Sequence, residues 1–128
     1  MTVIDTTVWI DYFRNRSTPE TEWLDREVSR QRLGLTDLIL CEVIRTPRKF
    51  EATRAALERF EIFSTGGVTL AVTAAQHYQT LRLQGVTVRK TIDCLIASFC
   101  LLHNHYLQHN DRDYDPFEER LGLRVVHP

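Results

Sequence analysis

Short apolar runs alternate along the chain with longer stretches in which apolar residues recur every three or four positions. Runs of the first kind are typical of buried strands, and the longer stretches are typical of amphipathic helices. The pattern predicts strands at 2–4, 33–36, 62–63, 105–109 and 123–126. It predicts helices at 6–14, 17–30, 37–45, 48–60, 69–84 and 92–103. Strands that alternate with helices indicate an α/β domain in three α/β/α layers, with a mostly parallel central sheet of four or five strands.

Capping and helix-breaking residues set the expected boundaries. Helix starts are predicted where hydroxyl residues precede the helical pattern, at Thr6 or Thr7, at 17–20 with its proline, and at Thr91. Helix ends are predicted at Thr46-Pro47 and at Gly85. Residues 110–115 are expected to form an acidic loop.

The composition limits the function classes. With 128 residues, 43% of them hydrophobic and 26% charged, the chain has the size of one globular domain, predicted to span 1–128. The formal net charge of -1 provides no overall basic field for a nucleic acid, although carboxylates in a site can offset basic residues around it. No apolar run approaches the roughly 20 residues of a membrane span, and residues 1–5 do not resemble a signal peptide. A cytoplasmic protein without membrane contact is expected.

The chain has three cysteines, Cys41, Cys94 and Cys100. Their number is odd and no two of them form a Cys-x-x-Cys pair, so neither a disulfide framework nor a zinc site is indicated. Because their neighbours are apolar, we expect buried free thiols.

Four carboxylates stand out by their positions. Asp5 and Asp111 follow predicted strands, and open parallel sheets bind ligands beyond the carboxyl ends of their strands. Glu42 and Asp93 lie in apolar helical segments, where a charge is costly unless it is paired or bound to a cation. Each acid alone has a structural explanation: Asp5 as a helix cap, Asp93 as a partner of the helix dipole, Glu42 at a helix edge or paired with Arg45, and Asp111 as a turn residue.

Together, the four acids are expected to converge on one crevice. Convergent carboxylates repel one another and need a counter-charge. Ligands that are all oxygen favour Mg²⁺ or Mn²⁺ over zinc. Such a cation can activate water and neutralise charge on a phosphate, so the group of acids indicates phosphodiester hydrolysis.

Three segments resemble PIN-domain toxins of the VapC type. Residues 4–14 read Ile-Asp-Thr-Thr-Val-Trp-Ile-Asp-Tyr-Phe-Arg, residues 89–97 read Arg-Lys-Thr-Ile-Asp-Cys-Leu-Ile-Ala, and residues 109–115 read His-Asn-Asp-Arg-Asp-Tyr-Asp. The resemblance covers essentially the whole chain, and the order of the segments makes it specific. It implies a PIN-like fold and a Mg²⁺- or Mn²⁺-dependent endoribonuclease that is the toxin of a type II toxin–antitoxin pair.

The resemblance also implies residue roles and partners. The metal-binding catalytic acids would be Asp5, Glu42, Asp93 and Asp111, supported by Thr7, Asp113 and Asp115. The substrate would be single-stranded or looped RNA, such as transfer or ribosomal RNA, and its cleavage would inhibit translation. Members are usually homodimers that a small antitoxin blocks. Many relatives have a hydroxyl residue where this chain has His109, a departure that concerns the surroundings of the last acid.

Basic and aromatic residues near these segments have two explanations each. Candidates for contacts with RNA phosphates are Arg82, Arg89, Lys90 and Arg112, of which Arg82 is equally well explained as part of a solvated helix face. Trp9, Tyr12 and Phe13 could stack on a base, but core packing is favoured. His103 and His105 are interpreted as structural residues rather than a metal pair.

Two other functions fit parts of the pattern. A phospho-acceptor receiver domain has similar length and an acidic Mg²⁺ pocket, but it requires an acidic pair after the first strand and a lysine after a late strand. Here one acid follows the first strand, and Lys90 precedes a helix. A catalytically inactive PIN scaffold that binds RNA or protein is the other alternative, and the presence of all four acids argues against it.

Overall fold

The computed structural model describes residues 1–45 and 48–128, so the helix break predicted at Thr46-Pro47 lies outside the described residues. The strands are β1 Thr2–Ile4, β2 Leu33–Thr36, β3 Glu61–Phe63 and β4 Tyr106–Gln108. The helices are α1 Thr6–Phe13, α2 Pro19–Glu27, α3 Asp37–Ile44, α4 Phe50–Leu57, α5 Val68–Leu83, α6 Thr91–Leu102 and α7 Asp115–Leu121. A 3₁₀ turn, Arg112–Tyr114, precedes α7.

The four strands form one sheet in the order β3-β2-β1-β4, and every pairing among the described strands is parallel. Connections between parallel strands are right-handed. Across the sheet, the chain moves in one direction from β1 through β2 to β3 and in the opposite direction from β3 to β4. This places α1 to α4 on one face and α5 and α6 on the other. The predicted α/β fold with a mostly parallel sheet of four or five strands is confirmed.

The sheet has a topological switch point between β1 and β4. The helix after β1 belongs to one face, whereas α7, the helix after β4, packs against α5 on the opposite face. Chains that leave neighbouring strands towards opposite faces open a crevice at the carboxyl edge of the sheet. Asp5 follows β1 directly and Asp111 follows β4 closely, so both acids lie at this crevice.

The core lies between the sheet and both helix layers. Trp9 is fully buried in α1, with its ring 4.9 Å from that of Phe60 and 6.0 Å from that of Phe13. Tyr12 and Phe13 pack half-buried against this core. Core packing, rather than base stacking, was the favoured interpretation of these aromatic residues, and the burial of Trp9 agrees with it.

The end of the chain departs from its prediction. The expected strand at 123–126 is only an isolated parallel bridge, in which Val125 pairs with Leu107 of the edge strand β4. The acidic segment is not a simple loop, because it continues into α7. The signals for α7 were Pro116 in its first turn and Gly122 after its end, which has a φ of +78° that favours glycine. Buried Phe117 holds this short helix on the core.

Several local predictions were wrong. The cap of α1 is Asp5, not Thr6 or Thr7, and α6 begins at Thr91 without a side-chain cap. The second helix ends at Glu27 rather than near residue 30, and Val28, the apolar residue that follows it, is 41% exposed and does not hold a further turn on the core. Cys41 is exposed, in contrast to the buried thiols of Cys94 and Cys100. Over residues 1–45 and 48–128, the structure contains no helix with the length and apolar character needed to cross a membrane.

Candidate active site

Asp5 is the best-satisfied acid of the crevice. It is 2% exposed, and its backbone N–H extends the β1–β4 ladder by donating to the carbonyl of Gln108 at 2.9 Å. Its carboxylate caps α1, since Oδ2 accepts from the backbone N–H of Thr7 at 3.2 Å and from the Thr7 hydroxyl at 2.8 Å. The same hydroxyl accepts from the backbone N–H of Asn110 at 3.1 Å, so Thr7 also joins the segment after β4.

Asp93 is buried in the first turn of α6 with an incomplete set of hydrogen bonds. It is 7% exposed, and its Oδ2 has no partner among the described residues. Burial, and after it the charges of Asp5, Asp111 and Glu42, raise the pKa of Asp93 to about 6 against an opposing effect of Lys90. Ionising a buried acid beside three other acids costs free energy, which a bound counter-charge would offset.

Asp111 and Asp113 form, with Asp93, a group of three carboxylates that could bind a metal ion. Asp111 caps the 3₁₀ turn, and its Oδ1 accepts from the backbone N–H of Asp113 at 2.9 Å. Each of the three acids offers one carboxylate oxygen, and these oxygens lie within 4.8 Å of one another. Hard oxygen donors at this spacing, together with the unpaired oxygen of Asp93, fit Mg²⁺ or Mn²⁺.

Glu42 faces the crevice from α3. It is half-buried and accepts a hydrogen bond from the Thr6 hydroxyl at 2.7 Å, which fixes it beside the residue that follows Asp5. Within the described residues, Glu42 makes no ion pair with Arg45, the pairing considered as its structural explanation. It lies outside the group of three acids within 4.8 Å, but its charge acts on Asp93. Asp115, in the first turn of α7, also lies outside that group.

Tyr114 is a site residue that the sequence reasoning missed. Its side chain is fully buried, and its hydroxyl donates to Asp5 Oδ1 at 2.8 Å and lies 3.4 Å from Asp93 Oδ1. An aromatic residue with a hydroxyl within an acidic run was the available signal, because a buried tyrosine hydroxyl requires a polar partner. Without the fold, however, nothing in the sequence indicates that Tyr114 faces inward.

His109 packs beside this cluster as a neutral side chain. Its Nδ1 accepts from the backbone N–H of Asp111 at 3.1 Å, so the ring proton is on Nε2. Burial lowers the pKa of His109, while Asp5, Asp115 and other acids oppose that shift. The ring centroid lies 4.8 Å from that of Tyr114. His109 therefore supports the backbone of Asp111 in place of the hydroxyl residue that the resemblance led us to expect.

A groove of about 700 Å³ opens beside the acids. Arg89, Lys90 and Arg112 line it together with Asp111 and Asp113. Positive charges thus stand next to the acidic oxygens, an arrangement that can hold a phosphate close to them. Arg82 is exposed in the last turn of α5 and does not belong to the lining of this groove.

His103 and His105 lie away from the acids. Their rings pack on Phe99, with centroids at 4.7 Å and 5.6 Å. Burial lowers the pKa of His105. Among residues 1–45 and 48–128, the only group of three or more potential ligands for a metal is that of Asp93, Asp111 and Asp113, which agrees with the structural interpretation of the two histidines.

Comparisons with known proteins agree with this geometry. The PIN domain model matches residues 2–119. A VapC ribonuclease of Mycobacterium bovis and ribonuclease VapC11 of Mycobacterium tuberculosis are each 31% identical to the chain over 135 residues, covering 98% of this chain and 98% of the relative.

Solved structures support the fold. A toxin–antitoxin complex from Klebsiella pneumoniae has a TM-score of 0.74 at 23% identity, covering 100% of this chain and 98% of its own. VapBC2 from Rickettsia felis, bound to a promoter DNA fragment, has a TM-score of 0.76 at 17% identity, covering 98% and 96%. From the domain match and the Mycobacterium relatives together, the chain belongs to the PIN-domain family, in the group of VapC ribonucleases.

Proposed function

We propose that residues 1–128 form one domain that acts in the cytoplasm as a Mg²⁺- or Mn²⁺-dependent endoribonuclease, the toxin of a toxin–antitoxin pair. The observation that carries the proposal is the state of Asp93: buried, with an unpaired oxygen, and within 4.8 Å of carboxylate oxygens of Asp111 and Asp113. Acids so placed repel one another unless a cation joins them. The ribonuclease names of the Mycobacterium relatives support RNA as the substrate.

The acids of the crevice have different roles in this proposal. Asp93, Asp111 and Asp113 would hold the cation, and Asp5 and Glu42 would complete its surroundings, directly or through water. A bound cation would supply the positive charge that activates water and neutralises the scissile phosphate. Thr7 and Thr6 hold the carboxylates of Asp5 and Glu42 in fixed orientations, so little reorganisation is needed during the reaction.

The basic residues of the groove would position the substrate. Arg89 and Lys90 precede α6, whose first turn carries Asp93, and Arg112 lies between Asp111 and Asp113 in the chain. Phosphates of single-stranded or looped RNA bound to these side chains would bring the scissile bond to the acids. Transfer and ribosomal RNA, whose loops expose such strands, are the proposed targets.

Cleavage of total cellular RNA tests the activity. The parent protein should cleave with Mg²⁺ or Mn²⁺ and should stop when a chelator is added. Asp25→Asn on α2 is a matched control for a site variant such as Asp93→Asn. Because Asp25 is an exposed acid outside the crevice, Asp25→Asn should cleave like the parent. Cleavage that persists in chelator would contradict the metal-dependent nuclease. Binding of RNA without any cleavage would favour the inactive scaffold.

A small antitoxin and a second copy of the chain are the proposed protein partners. The antitoxin would place a basic side chain among the unpaired carboxylates, and an arginine fits best because its planar fork matches them. Exposed apolar residues on α5, such as Val68 at 79% and Leu83 at 89%, support association between copies.

Co-expression tests the antitoxin, and sedimentation tests the dimer. The product of an adjacent small gene should restore growth and co-purify with the parent. If the parent protein, with its four predicted acids intact, is monomeric, non-toxic and does not bind that product, both proposed partners are contradicted. In the complex, Asp93→Asn should weaken binding of the antitoxin, since one attractive charge is lost.

A further inference from the structure

The hydroxyl of Tyr114 connects the two most buried acids of the crevice. It donates to Asp5 Oδ1 at 2.8 Å and lies 3.4 Å from Asp93 Oδ1. Asp5 follows β1 and Asp93 is on α6, so Tyr114 joins two elements that are distant in sequence. Among the described residues, no other side chain lies within hydrogen-bond distance of both of these carboxylates.

A hydroxyl has only one proton, and the distances assign it to Asp5. With the two donors of Thr7 on Oδ2, the Asp5 carboxylate then has donors on both oxygens. Asp93 keeps one long contact to Tyr114 and an oxygen without a partner. The hydroxyl therefore satisfies Asp5 while leaving Asp93 with capacity for a cation.

Tyr114 is itself held firmly, so it can fix the position of the acids. Its side chain is fully buried, and its ring lies 4.8 Å from that of His109. Its backbone N–H donates to the carbonyl of Asp111 at 3.1 Å. One residue thus connects Asp5, Asp93 and Asp111.

We propose that Tyr114 is a positioning residue that sets the affinity of the site for its divalent cation. The inference rests on the proposed function, since it requires that the acids bind a cation. The hydroxyl holds the Asp5 carboxylate by its hydrogen bond, in an orientation that faces Asp93. Without it, Asp5 Oδ1 loses its donor and can shift away from Asp93 under the repulsion of the two charges, and cation binding has to bring it back. Hydrogen-bond partners of metal ligands typically change metal affinity by about 10- to 100-fold when they are removed.

The variant Tyr114→Phe removes the hydroxyl and keeps the ring that packs on His109. Calorimetric titration with Mn²⁺ should show binding about tenfold weaker than in the parent. Tyr78→Phe is the matched control, because Tyr78 is an exposed tyrosine on α5, and it should bind Mn²⁺ like the parent. Raising the Mn²⁺ concentration should restore RNA cleavage by Tyr114→Phe, which a purely structural defect would not allow. Unchanged Mn²⁺ affinity in Tyr114→Phe would overturn the inference and leave the proposed function intact.

A spectroscopic measurement on the parent gives an independent test. Mg²⁺ has no absorption of its own, and its charge beside Asp93 and Asp5 should perturb the near-ultraviolet band of Tyr114. The perturbation should persist in Tyr78→Phe and vanish in Tyr114→Phe. Cation binding by the parent without a tyrosine perturbation would overturn the inference, even if Tyr114→Phe fails to fold. Absence of any Mn²⁺ or Mg²⁺ binding by the parent would overturn the proposed function as well.

Discussion

Two aspartates at the same edge of the sheet differ in how completely their carboxylates are hydrogen-bonded. Asp37 follows β2, and its carboxylate accepts from the backbone N–H of Leu38 at 2.9 Å, from the backbone N–H of Thr65 at 3.2 Å and from the Thr65 hydroxyl at 2.5 Å. Asp93, beside β1 and β4, has one hydrogen-bond contact at 3.4 Å and an oxygen with no partner among the described residues.

The difference separates a structural acid from a functional one. Asp37 connects the start of α3 to the loop after β3, and its donors leave it with no need for a cation. Asp93 is buried among other acids, and the fold provides no donor to satisfy it fully. A polar group that remains unsatisfied in a stable protein requires an explanation, and for a carboxylate among other carboxylates a bound cation provides one.

The largest expected effect that separates the two acids is on catalysis. Asp93→Asn keeps the shape of the side chain but removes a charge that would hold the cation. RNA cleavage should fall by several orders of magnitude, roughly 10³-fold or more. Asp37→Asn should cleave within a few-fold of the parent at a temperature where it is folded. Equal losses in both variants, measured by single-turnover cleavage, would remove the distinction.

The second prediction concerns pH and the metal-free protein. The pKa of Asp93 is raised from 3.8 to about 6, so between these values the folded state binds more protons than the unfolded state. The free energy of unfolding should therefore fall as pH rises through this range, by about 3 kcal/mol. Asp93→Asn should not show this fall, and subtracting its pH profile from that of the parent removes the contribution of other groups.

Denaturant unfolding in chelator, between about pH 4 and pH 8, measures this difference. Addition of Mg²⁺ or Mn²⁺ at the higher pH should stabilise the parent, since binding to the folded state offsets the repulsion. Identical pH profiles for the parent and Asp93→Asn would show that the carboxyl of Asp93 is not under electrostatic stress.

The third prediction concerns stability, on which we expect Asp37 rather than Asp93 to have the effect in the presence and absence of divalent cations. Asp37→Ala leaves the buried Thr65 without its acceptors, and an unsatisfied buried donor costs about 1–3 kcal/mol. The variant should lose about 2 kcal/mol of unfolding free energy with or without divalent cations. Glu51→Ala, an exposed acid in the first turn of α4, serves as a control and should change stability little. If divalent cations stabilised Asp37→Ala less than they stabilise the parent, Asp37 would belong to the cation site.

The smallest expected effect concerns the basic wall of the groove. Arg89→Ala should weaken binding of RNA several-fold and lower the slope of its salt dependence by about 1, while Mn²⁺ affinity stays unchanged. Arg82→Ala should have less effect, because Arg82 does not line the groove among the described residues. Filter binding in the Asp93→Asn background, over a range of salt concentrations, measures both. A stronger effect of Arg82→Ala would place the RNA path along α5.

The order of strands and helices followed from the sequence, because apolar periodicity reflects which face of each element is buried. Asp5 and Asp111 could be assigned to the crevice for the same reason: each follows a strand, and parallel strands share one carboxyl edge. Glu42 and Asp93 stood out as charges within apolar helical segments, and the family resemblance then implied their roles. Boundaries and caps were less accurate: for α1 the sequence allowed a cap from Asp5 or from a threonine hydroxyl, and the structure shows that Asp5 is the cap.

The balance of hydrogen bonds at each acid was decided by the tertiary structure. Asp37 and Asp93 each lie in the first turn of an apolar helix, and nothing local indicates that Thr65 satisfies one while the other keeps an unpaired oxygen. The inward position of Tyr114 depends likewise on the packing of the 3₁₀ turn and α7 against the site. Sequence patterns record which residues are apolar and where elements begin, whereas the donors that reach a buried carboxylate come from elements far apart in the chain.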